Sequence, residues 1–447
     1  MRTATPAKPR NGLIAALDIG TSKVCCLIAK PATGRSPAAD RDLGAEPHET
    51  RASNLQIVGI GHQVSRGLRN GAIIDMDQAE ASIRATVEAA EQMAGENIHR
   101  VVINLSGGRP KSRLIAYEVS IAGHQIGDSD LRRILEHAGD GAEVPDDRRL
   151  VHAVPVGYSV DGNRGVRDPR GMYGERLGVN MHTISALQGP VRNLESSVAR
   201  CHLEVESVVM SSYASALACL VEDEKQMGVT CIDMGGGATT VAVFFDGELV
   251  HTDTVPVGGN HVTNDIARGL ATPIEQAERM KTLFGTTLPS ANDDRQVIQV
   301  PLVGEEDSPD TAQVPRSMLT GIVRPRVEET FELVRDRLKE AGFDKVAGRR
   351  LVLTGGASQL SGVRETVGKI LDKQVRLGRP QPIGGLAEAM SGPIFSTCVG
   401  LLLFGLQNKA EESRAAYRPG RYGVAGHPNG DLSGRFGRFG QWIKENF

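Results

Sequence analysis

The 447-residue chain contains one short pattern twice, and this repeat constrains the fold more than any other feature. Each copy is an apolar run that ends in Asp-x-Gly and leads through small or hydroxyl residues into a second apolar run. The two copies are Leu17-Asp18-Ile19-Gly20-Thr21-Ser22-Lys23 and Ile232-Asp233-Met234-Gly235-Gly236-Gly237-Ala238-Thr239-Thr240. The pattern predicts a β-hairpin whose tight turn presents backbone N–H groups beside a carboxylate. One such turn would be a weak indication, because Asp-Gly turns are common; two are much stronger.

The chemistry of these turns suits a phosphate chain and Mg²⁺. Bare N–H groups at a glycine turn bind phosphate oxygens, and a nearby carboxylate suits Mg²⁺ directly or through water. We therefore expect Asp18 and Asp233 to lie nearest the metal. The phosphate-facing groups are expected from Gly20, Thr21, Ser22, Lys23, Gly235, Gly236, Gly237 and Thr239. Lys23 either adds a positive charge beside the phosphates or is an exposed lysine of the hairpin, and the sequence leaves both open.

A third glycine turn follows a strand late in the chain. Leu351-Val352-Leu353-Thr354 leads into Gly355-Gly356-Ala357-Ser358, and a helical pattern follows from about Ser361. Gly-Gly leaves room for a flat base or ribose, although alone it is also an ordinary strand-to-helix turn. In this order the three turns resemble the phosphate-1, phosphate-2 and adenosine motifs of the actin-like ATPase superfamily. The resemblance implies that ATP and Mg²⁺ bind in a central cleft and that Gly355, Gly356 and Ala357 contact the nucleotide.

The predicted elements follow the same order in both halves: hairpin, strand, helix, strand, helix. That order is the plan of a duplicated, doubly wound α/β fold, here ribonuclease-H-like by its resemblance to actin, with a nucleotide cleft between the halves. The predicted divisions are 12–80 and 180–228 for lobe 1, 81–179 for an inserted α+β subdomain, 229–265 and 326–407 for lobe 2, 266–325 for a small subdomain of lobe 2, 408–431 for a flexible linker, and 432–447 for an amphipathic helix.

Several individual elements are also predicted. One helix is expected over 212–224, two short strands over 297–303 and 312–323 around an acidic loop at 305–307, and helices over 327–341 and 393–406. The polar segment 31–54 is typical of a flexible insertion between strands.

The composition bears on which partners the protein binds and on the cellular compartment in which it is found. The net charge is −3 and 23% of the residues are charged, so the chain lacks the overall positive charge that is typical of nucleic-acid-binding proteins. The six cysteines lack Cys-x-x-Cys or zinc spacing, so the chain is expected in a reducing, cytosolic environment. The longest apolar run near the end, 398–406, is too short to span a bilayer and predicts a buried helix.

Two further segments bear on nucleotide chemistry. Glu278 and Lys281 share one helix face, which alone suggests a solvent-facing ion pair. The segment Ala277-Glu278-Arg279-Met280-Lys281 resembles the Ala-Glu-x-x-Lys of bacterial actins, which implies contacts to ribose and adenine. Fast ATPases of the superfamily carry Glu or Gln at the start of the helix before the second hairpin. The comparable stretch, residues 211–216, has neither, so we expect at most slow hydrolysis.

The C-terminal segment has a helical apolar stripe. At about 100° per residue, one arc contains Leu432, Phe436, Phe439, Ile443 and Phe447, with Trp442 at its edge. Three glycines in the segment each cost about 1 kcal/mol relative to alanine, so an apolar surface must fold it. The segment is either a final helix that docks on the protein's own core or an interfacial helix on anionic lipid, and the preceding linker favours the second.

An actin-like ATPase with an inserted α+β module and a terminal amphipathic helix is similar to the FtsA family of bacterial cell-division proteins. The stretches at 229–237, 256–267 and 351–358 carry the resemblance. It implies a peripheral protein of the cytoplasmic face of the membrane that polymerises as actin-like filaments at the division site, attaches FtsZ to lipid and recruits later divisome membrane proteins. The C-terminal peptide of FtsZ would bind the subdomain at about 266–325. Arg316, Arg324 and Arg326 there either contact that acidic peptide or are simply solvated.

Three alternatives remain open at this point. A sugar-kinase-type enzyme would need a carboxylate base facing its substrate and would not need the tail. A heat-shock-type chaperone would need a large domain after the ATPase, and little chain follows Gln407. A shape-determining actin homologue lacks an insert of the 81–179 type.

Overall fold

The computed structural model describes residues 12–31, 55–140, 144–304, 312–386 and 388–416. Its strands are β1 (Ile14–Ile19), β2 (Lys23–Pro31), β3 (Leu55–Val64), β4 (Leu68–Arg69), β5 (Ala72–Ile73), β6 (Arg100–Leu105), β7 (Lys111–Ser120), β8 (Arg148–Val160), β9 (Asn163–Val166), β10 (Arg176–Leu187), β11 (Glu204–Met210), β12 (Val229–Met234), β13 (Thr239–Phe245), β14 (Glu248–Val255), β15 (Val297–Val300), β16 (Ala312–Pro315), β17 (Arg350–Thr354) and β18 (Gln374–Leu377).

The α-helices lie between these strands and after them. They are α1 (Met76–Ala94), α2 (Asp128–Asp140), α3 (Gln188–Arg200), α4 (Ser211–Cys219), α5 (Glu222–Met227), α6 (Gly259–Gly269), α7 (Ile274–Phe284), α8 (Arg316–Glu340), α9 (Val363–Leu371) and α10 (Ser396–Ala416). Most of the insertion predicted at 31–54, the acidic loop at 305–307 and the amphipathic segment 432–447 lie outside the described residues.

Two five-stranded sheets share one topology. Their strand orders are β3-β2-β1-β6-β11 and β14-β13-β12-β17-β18. In each sheet the predicted hairpin is antiparallel, a third strand extends it antiparallel, and two further strands run parallel to its first strand. The central strands β1 and β12 are buried along their whole length, as expected where both faces of a sheet are covered. The predicted duplicated α/β fold is confirmed.

A separate four-stranded antiparallel sheet, β7-β10-β8-β9, carries α2 on one face. Ile134 of α2 packs there against Leu177, Val179 and Met181 of β10. The predicted limits of this subdomain, 81–179, are wrong at both ends. Strand β6 pairs with β1 in the first five-stranded sheet, and β10 continues to Leu187. Sheet membership depends on pairing across many residues, which composition does not reveal.

The helix predicted over 212–224 is two helices. The chain leaves the helical conformation at Leu220 and Val221, both in extended backbone. Leu220 is fully buried, and the Glu224 carboxylate accepts the Val221 N–H at 3.3 Å, which caps α5. A buried side chain and a local cap therefore end α4 where the helical pattern alone would continue.

The second predicted strand of the small subdomain is also wrong in part. Strand β16 ends at Pro315, and α8 begins at Arg316 and continues to Glu340 through Gly321 and Pro325. These two residues disfavour helix, which is why the sequence indicated a later start. A buried stripe at four-residue spacing overrides them, formed by Leu319, Val323, Val327 and Phe331.

The last described helix is longer than predicted. A 3₁₀ turn at Pro393–Phe395 precedes α10, which continues to Ala416. The linker predicted from residue 408 is therefore helical over its first part. In the described ranges, no helix is both long and apolar enough to span a membrane.

Candidate functional site

The two predicted hairpin turns are closed by equivalent hydrogen bonds and lie against each other. The Gly20 N–H donates to the Lys23 carbonyl at 3.0 Å, and the Gly235 N–H donates to the Ala238 carbonyl at 2.9 Å. A Cβ added at Gly237 would overlap the Thr21 side chain, and one at Gly236 would overlap the Ser22 hydroxyl. The glycines therefore permit the close approach of two loops that come from different sheets.

The N-terminus of α6 joins the two turns. The Gly259 N–H donates to the Gly235 carbonyl at 2.9 Å, and the Asn260 N–H donates to the Gly236 carbonyl at 2.8 Å. The Asn260 side-chain oxygen accepts the Ser22 hydroxyl at 3.0 Å. Sequence reasoning did not place Asn260 in the site, because its partners are distant in the chain.

Asp18 and Asp233 end the central strands of the two sheets and are 7% and 8% exposed. Burial raises the pKa of Asp18 to about 6, against the attraction of Lys23, and the charge of Asp233 raises it further. Burial also raises the pKa of Asp233. The two carboxylates are thus close enough to influence each other, as carboxylates around one cation must be.

Two hydroxyl groups bind the Asp233 carboxylate. Ser215 of α4 and Thr397 of α10 both donate to Asp233 Oδ2, the second at 2.9 Å. Sequence reasoning missed both residues. Thr397 precedes an apolar helical run, so its local pattern indicates only a helix start.

Lys23 is largely buried beside Asp18. Its Nζ donates to the Ile394 carbonyl at 2.6 Å and lies 3.9 Å from Asp18 Oδ2 and 4.1 Å from the Phe395 ring centroid. The side chain is 15% exposed. The interpretation of an exposed hairpin lysine is therefore wrong, and the charge lies beside the first carboxylate.

The hydroxyls of the two threonines expected at the phosphates both contact backbone groups. The Thr239 hydroxyl donates to the Val257 carbonyl at 2.7 Å, and the residue is fully buried. The Thr21 hydroxyl accepts the Gly71 N–H at 2.9 Å. Thr239 therefore stabilises the strand behind the turn, contrary to the expectation that its hydroxyl faces phosphate.

The residues assigned to ribose and adenine also meet. Lys281 Nζ lies 2.6 Å from Glu278 Oε2 and 2.9 Å from the Thr263 hydroxyl. A Cβ added at Gly259 would lie 3.6 Å from Lys281 Nζ and 3.0 Å from Ala357 Cβ. The Lys281 side chain is 12% exposed and that of Glu278 is 50% exposed, so the lysine is largely buried and the glutamate faces solvent.

The third turn needs glycine for a reason that the sequence did not suggest. Gly355 has a φ of +88°, and a Cβ there would overlap Asp233 Oδ1 and lie 2.6 Å from the Met234 carbonyl oxygen. At Gly356 an added Cβ would lie 3.4 Å from Ile394, an ordinary contact. The first glycine thus leaves room for a carboxylate of this protein.

Residues 211–216, where fast ATPases of the superfamily carry Glu or Gln, begin helix α4. The Ser211 hydroxyl accepts the Asn104 amide at 3.2 Å, and the Asn104 oxygen accepts the Ile19 N–H at 2.6 Å. Residues 211–216 bring hydroxyl groups, and no carboxylate or amide side chain, to this place.

The small subdomain around α7 and α8 presents apolar side chains to solvent. Its exposed apolar residues are Ile274, Leu283, Phe284, Leu288, Val297, Val303 and Met318. The candidate arginines are already paired: Arg326 with Asp265 and Glu329, Arg324 with Glu328, and Arg316 with Asp293.

Family models match two parts of the chain. Residues 230–400 match the model described as cell division protein FtsA, and residues 107–185 match the SHS2 domain inserted in FtsA. The second range contains the four-stranded sheet except for the last two residues of β10.

Curated relatives named cell division protein FtsA are similar to the whole chain. The protein of Rhizobium meliloti (strain 1021) is 44% identical over 442 residues, which are 99% of this chain and 96% of the relative. That of Pseudomonas aeruginosa is 34% identical over 435 residues, which are 97% of this chain and 98% of the relative. That of Escherichia coli (strain K12) is 30% identical over 403 residues, which are 89% and 91%.

Solved structures show the fold. The PilM–PilN type IV pilus biogenesis complex matches with a TM-score of 0.61 at 15% identity, over 89% of this chain and 99% of that chain. MreB 5 of Spiroplasma citri bound to AMPPNP matches with a TM-score of 0.53 at 14% identity, over 91% and 100%. The fold is thus actin-like.

Proposed function

The chain belongs to the FtsA family of cell division proteins, and from this we propose that it is an ATP- and Mg²⁺-binding filament protein that attaches FtsZ to the cytoplasmic membrane. It polymerises beneath the membrane at the division site, lies there as a peripheral protein, and recruits later divisome membrane proteins. Family membership sets aside the alternatives of a shape-determining filament protein and a sugar-kinase-type enzyme.

The proposal of nucleotide binding rests on one observation: two glycine turns from different sheets lie against each other, and each follows a strand that contains an aspartate. The two turns lie so close together that a Cβ added at Gly236 would overlap the Ser22 side chain and one at Gly237 the Thr21 side chain. Two carboxylates, Asp18 and Asp233, end the adjoining strands, and Lys23 supplies a positive charge. Phosphate oxygens suit such turns because the glycine backbone offers unobstructed N–H groups.

The donor set fits Mg²⁺ in the manner usual for nucleotide sites. Among the described residues no group of three or more His, Cys, Asp or Glu side chains could hold a metal ion. Mg²⁺ is commonly bound by one or two carboxylates, with water and substrate phosphate completing its coordination. Asp18 and Asp233 would hold the ion, which would neutralise phosphate charge. The similar MreB 5 structure contains AMPPNP, which agrees with a nucleotide in this fold.

Nucleotide binding is tested by titrating the full chain with a fluorescent ATP analogue, with Mg²⁺ and with EDTA. We expect Asp233→Asn to remove most of the Mg²⁺-dependent affinity. Asp246→Asn is the matched control, because Asp246 lies beyond the opposite end of β13 and is exposed. Equal Mg²⁺-dependent affinity in the wild type and Asp233→Asn would contradict the proposal.

Hydrolysis is proposed to be slow. Within residues 211–216 the side chain that contacts Asp233 is the Ser215 hydroxyl, and the stretch contains no Glu or Gln that could orient a water molecule. Phosphate release should therefore stay far below one turnover per second, whereas tens per second would refute this assignment.

Membrane attachment is proposed for the segment 432–447, from its sequence pattern. Burial of one aromatic or aliphatic side chain contributes roughly 1.5–3 kcal/mol, and nearby Arg or Lys adds about 1 kcal/mol at an anionic surface. Each contact is modest and reversible, and many copies on one filament make attachment strong.

The membrane test is co-sedimentation with phosphatidylglycerol vesicles. We expect the full chain to sediment and a chain ending at Ala416, which keeps α10 whole, to remain in solution. Trp442→Glu should mimic the truncation. Gln441→Glu adds the same charge away from the apolar arc and should have little effect. Equal sedimentation of the full and shortened chains would remove the membrane role.

Binding of the FtsZ C-terminal peptide is proposed for the small subdomain, on its exposed apolar side chains. Leu283 near the end of α7 and Met318 near the start of α8 belong to elements in contact, since the Arg316 Nε donates to the Phe284 carbonyl at 3.1 Å. Fluorescence anisotropy with the labelled peptide should show weaker binding for Leu283→Glu and Met318→Glu. Met93→Glu, equally exposed on α1, is the control. Unchanged binding by both variants would place the peptide elsewhere.

A further inference from the structure

One oxygen of the Asp233 carboxylate forms a buried triangle with two hydroxyl oxygens. Ser215 and Thr397 both donate to Oδ2, and their own oxygens are 2.9 Å apart. Ser215 is fully buried, and Thr397 and Asp233 are each 8% exposed. Each hydroxyl has a single proton. When both protons point at Oδ2, that oxygen is saturated by donors and the carboxylate has one orientation.

The two donors are themselves fixed by their surroundings. Ser215 lies in the fully helical part of α4. Thr397 lies in the first turn of α10, where its neighbour Ser396 is 2.7 Å from the Thr354 hydroxyl. Thr354 pairs in register with Asp233 in the sheet. The triangle therefore joins α4, α10 and the central strand β12 at a single atom.

The other carboxylate oxygen is treated differently. A Cβ added at Gly355 would overlap Asp233 Oδ1, so this oxygen borders the third glycine turn rather than a hydroxyl group. A carboxylate held through one oxygen presents the other in a defined direction, which is how second-shell hydrogen bonds orient metal ligands in general.

We propose that Ser215 and Thr397 are positioning residues that hold Asp233 so that Oδ1 faces the magnesium ion of the bound nucleotide. This inference rests on the proposed nucleotide function. It assigns the hydroxyl-rich start of α4 a role in metal binding rather than in water activation.

The test measures the Mg²⁺-dependent part of nucleotide affinity, defined as the ratio of the Kd in EDTA to the Kd in Mg²⁺ for a fluorescent ATP analogue on the full chain. Hydrogen bonds to a charged group lead us to expect about a tenfold fall in this ratio for Ser215→Ala and for Thr397→Val. The Kd in EDTA should stay near that of the wild type. Thr397→Ser, which keeps the hydroxyl, should restore the ratio.

Ser212→Ala is the matched control. Ser212 is equally buried one turn earlier on α4, but its hydroxyl is 2.6 Å from Thr252 rather than from Asp233. A merely structural role would lower affinity equally with and without Mg²⁺, or affect Ser212→Ala as much as Ser215→Ala, and either result would overturn the inference.

The wild-type Kd ratio tests the underlying proposal of Mg²⁺-dependent nucleotide binding separately from the positioning role. A wild-type ratio near one would contradict Mg²⁺-dependent nucleotide binding itself. A large wild-type ratio that Ser215→Ala, Thr397→Val and Thr397→Ser all retain would contradict only the positioning role. Should Ser215→Ala fail to fold, the comparison of Thr397→Val with Thr397→Ser decides the question.

Discussion

Replacement of Gly355 by alanine should damage both stability and the nucleotide site, because two separate constraints act at this position. The backbone has a φ of +88°, which L side chains rarely adopt. The added Cβ would also overlap Asp233 Oδ1 and lie 2.6 Å from the Met234 carbonyl oxygen. The turn cannot relieve the second contact without moving the strand that carries Asp233.

The two constraints have separate magnitudes. Gly355 combines its positive φ with a ψ of 163°, a region that is essentially confined to glycine, so a side chain there costs roughly 1–3 kcal/mol. Overpacking in a close-packed region costs roughly 1–3 kcal/mol as well. We therefore expect Gly355→Ala to lower the free energy of unfolding by about 3 kcal/mol. Nucleotide affinity in Mg²⁺ should fall as well, since Asp233 must shift.

Two other glycines separate these effects. Gly342 has a φ of +78° and nothing within 4 Å of its added Cβ, so Gly342→Ala reports backbone strain alone, about 1 kcal/mol. Gly356 has neither a left-handed φ nor a close neighbour, so Gly356→Ala should leave the free energy of unfolding nearly unchanged. Urea denaturation of the three variants, with titration of the ATP analogue, measures both quantities.

The ordering of these variants is the refutable result. A Gly355→Ala protein whose stability lies within about 0.5 kcal/mol of Gly342→Ala, with unchanged nucleotide affinity, would show that the third turn does not confine Asp233.

Other predictions concern helix and charge. Gly321 is exposed within α8 with open space at its Cβ, so Gly321→Ala should raise the free energy of unfolding in urea by about 1 kcal/mol, and a decrease would contradict the helix there. Burial lowers the pKa of His152 to about 4, so the free energy of unfolding should fall by up to about 3 kcal/mol as the pH drops from 6.5 towards 4. In urea denaturation His152→Gln should make this pH dependence shallower. An unchanged slope would contradict the assignment. Burial raises the pKa of Asp18 to about 6, so the ionised carboxylate destabilises the fold above pH 6. Without nucleotide, Asp18→Asn should raise the thermal stability at pH 8 and leave it unchanged near pH 4. An increase that does not depend on pH would show that the buried charge is not responsible.

The hairpins and the sheet plan could be predicted from the sequence because their determinants are local. Asp18 and Asp233 each end an apolar strand before a glycine turn, and adjacent strands of a hairpin pair whatever the rest of the chain does. The repetition of this unit with following strands and helices then fixes the duplicated architecture.

Elements decided by distant contacts could not be predicted. Helix α8 crosses Gly321 and Pro325 because a buried stripe on its other face stabilises it, and local propensity argues against it. The insert begins later than predicted because β6 pairs with β1, a choice made by register between residues such as Ala16 and Val102.

The site divides in the same way. Lys23 was identified from its place in the first hairpin, and its Nζ lies 3.9 Å from Asp18 Oδ2. Glu278 and Lys281 were identified from the resemblance to bacterial actins, and the structure places Lys281 Nζ beside Thr263 and the Gly259 carbonyl. Ser215 and Thr397 gave no local indication, because each acts on a carboxylate that is distant in the chain. The Thr239 hydroxyl was expected to face phosphate because the residue lies beside the glycine turn, but in the structure it donates to the Val257 carbonyl.

A crystal structure of the full chain with Mg²⁺ and a non-hydrolysable ATP analogue tests the central claim most directly. We predict phosphate oxygens between the turns at 20–23 and 235–238, with the metal reached by Asp18 and Asp233 directly or through water. A nucleotide bound away from these turns, or a metal that neither carboxylate approaches, would contradict the account.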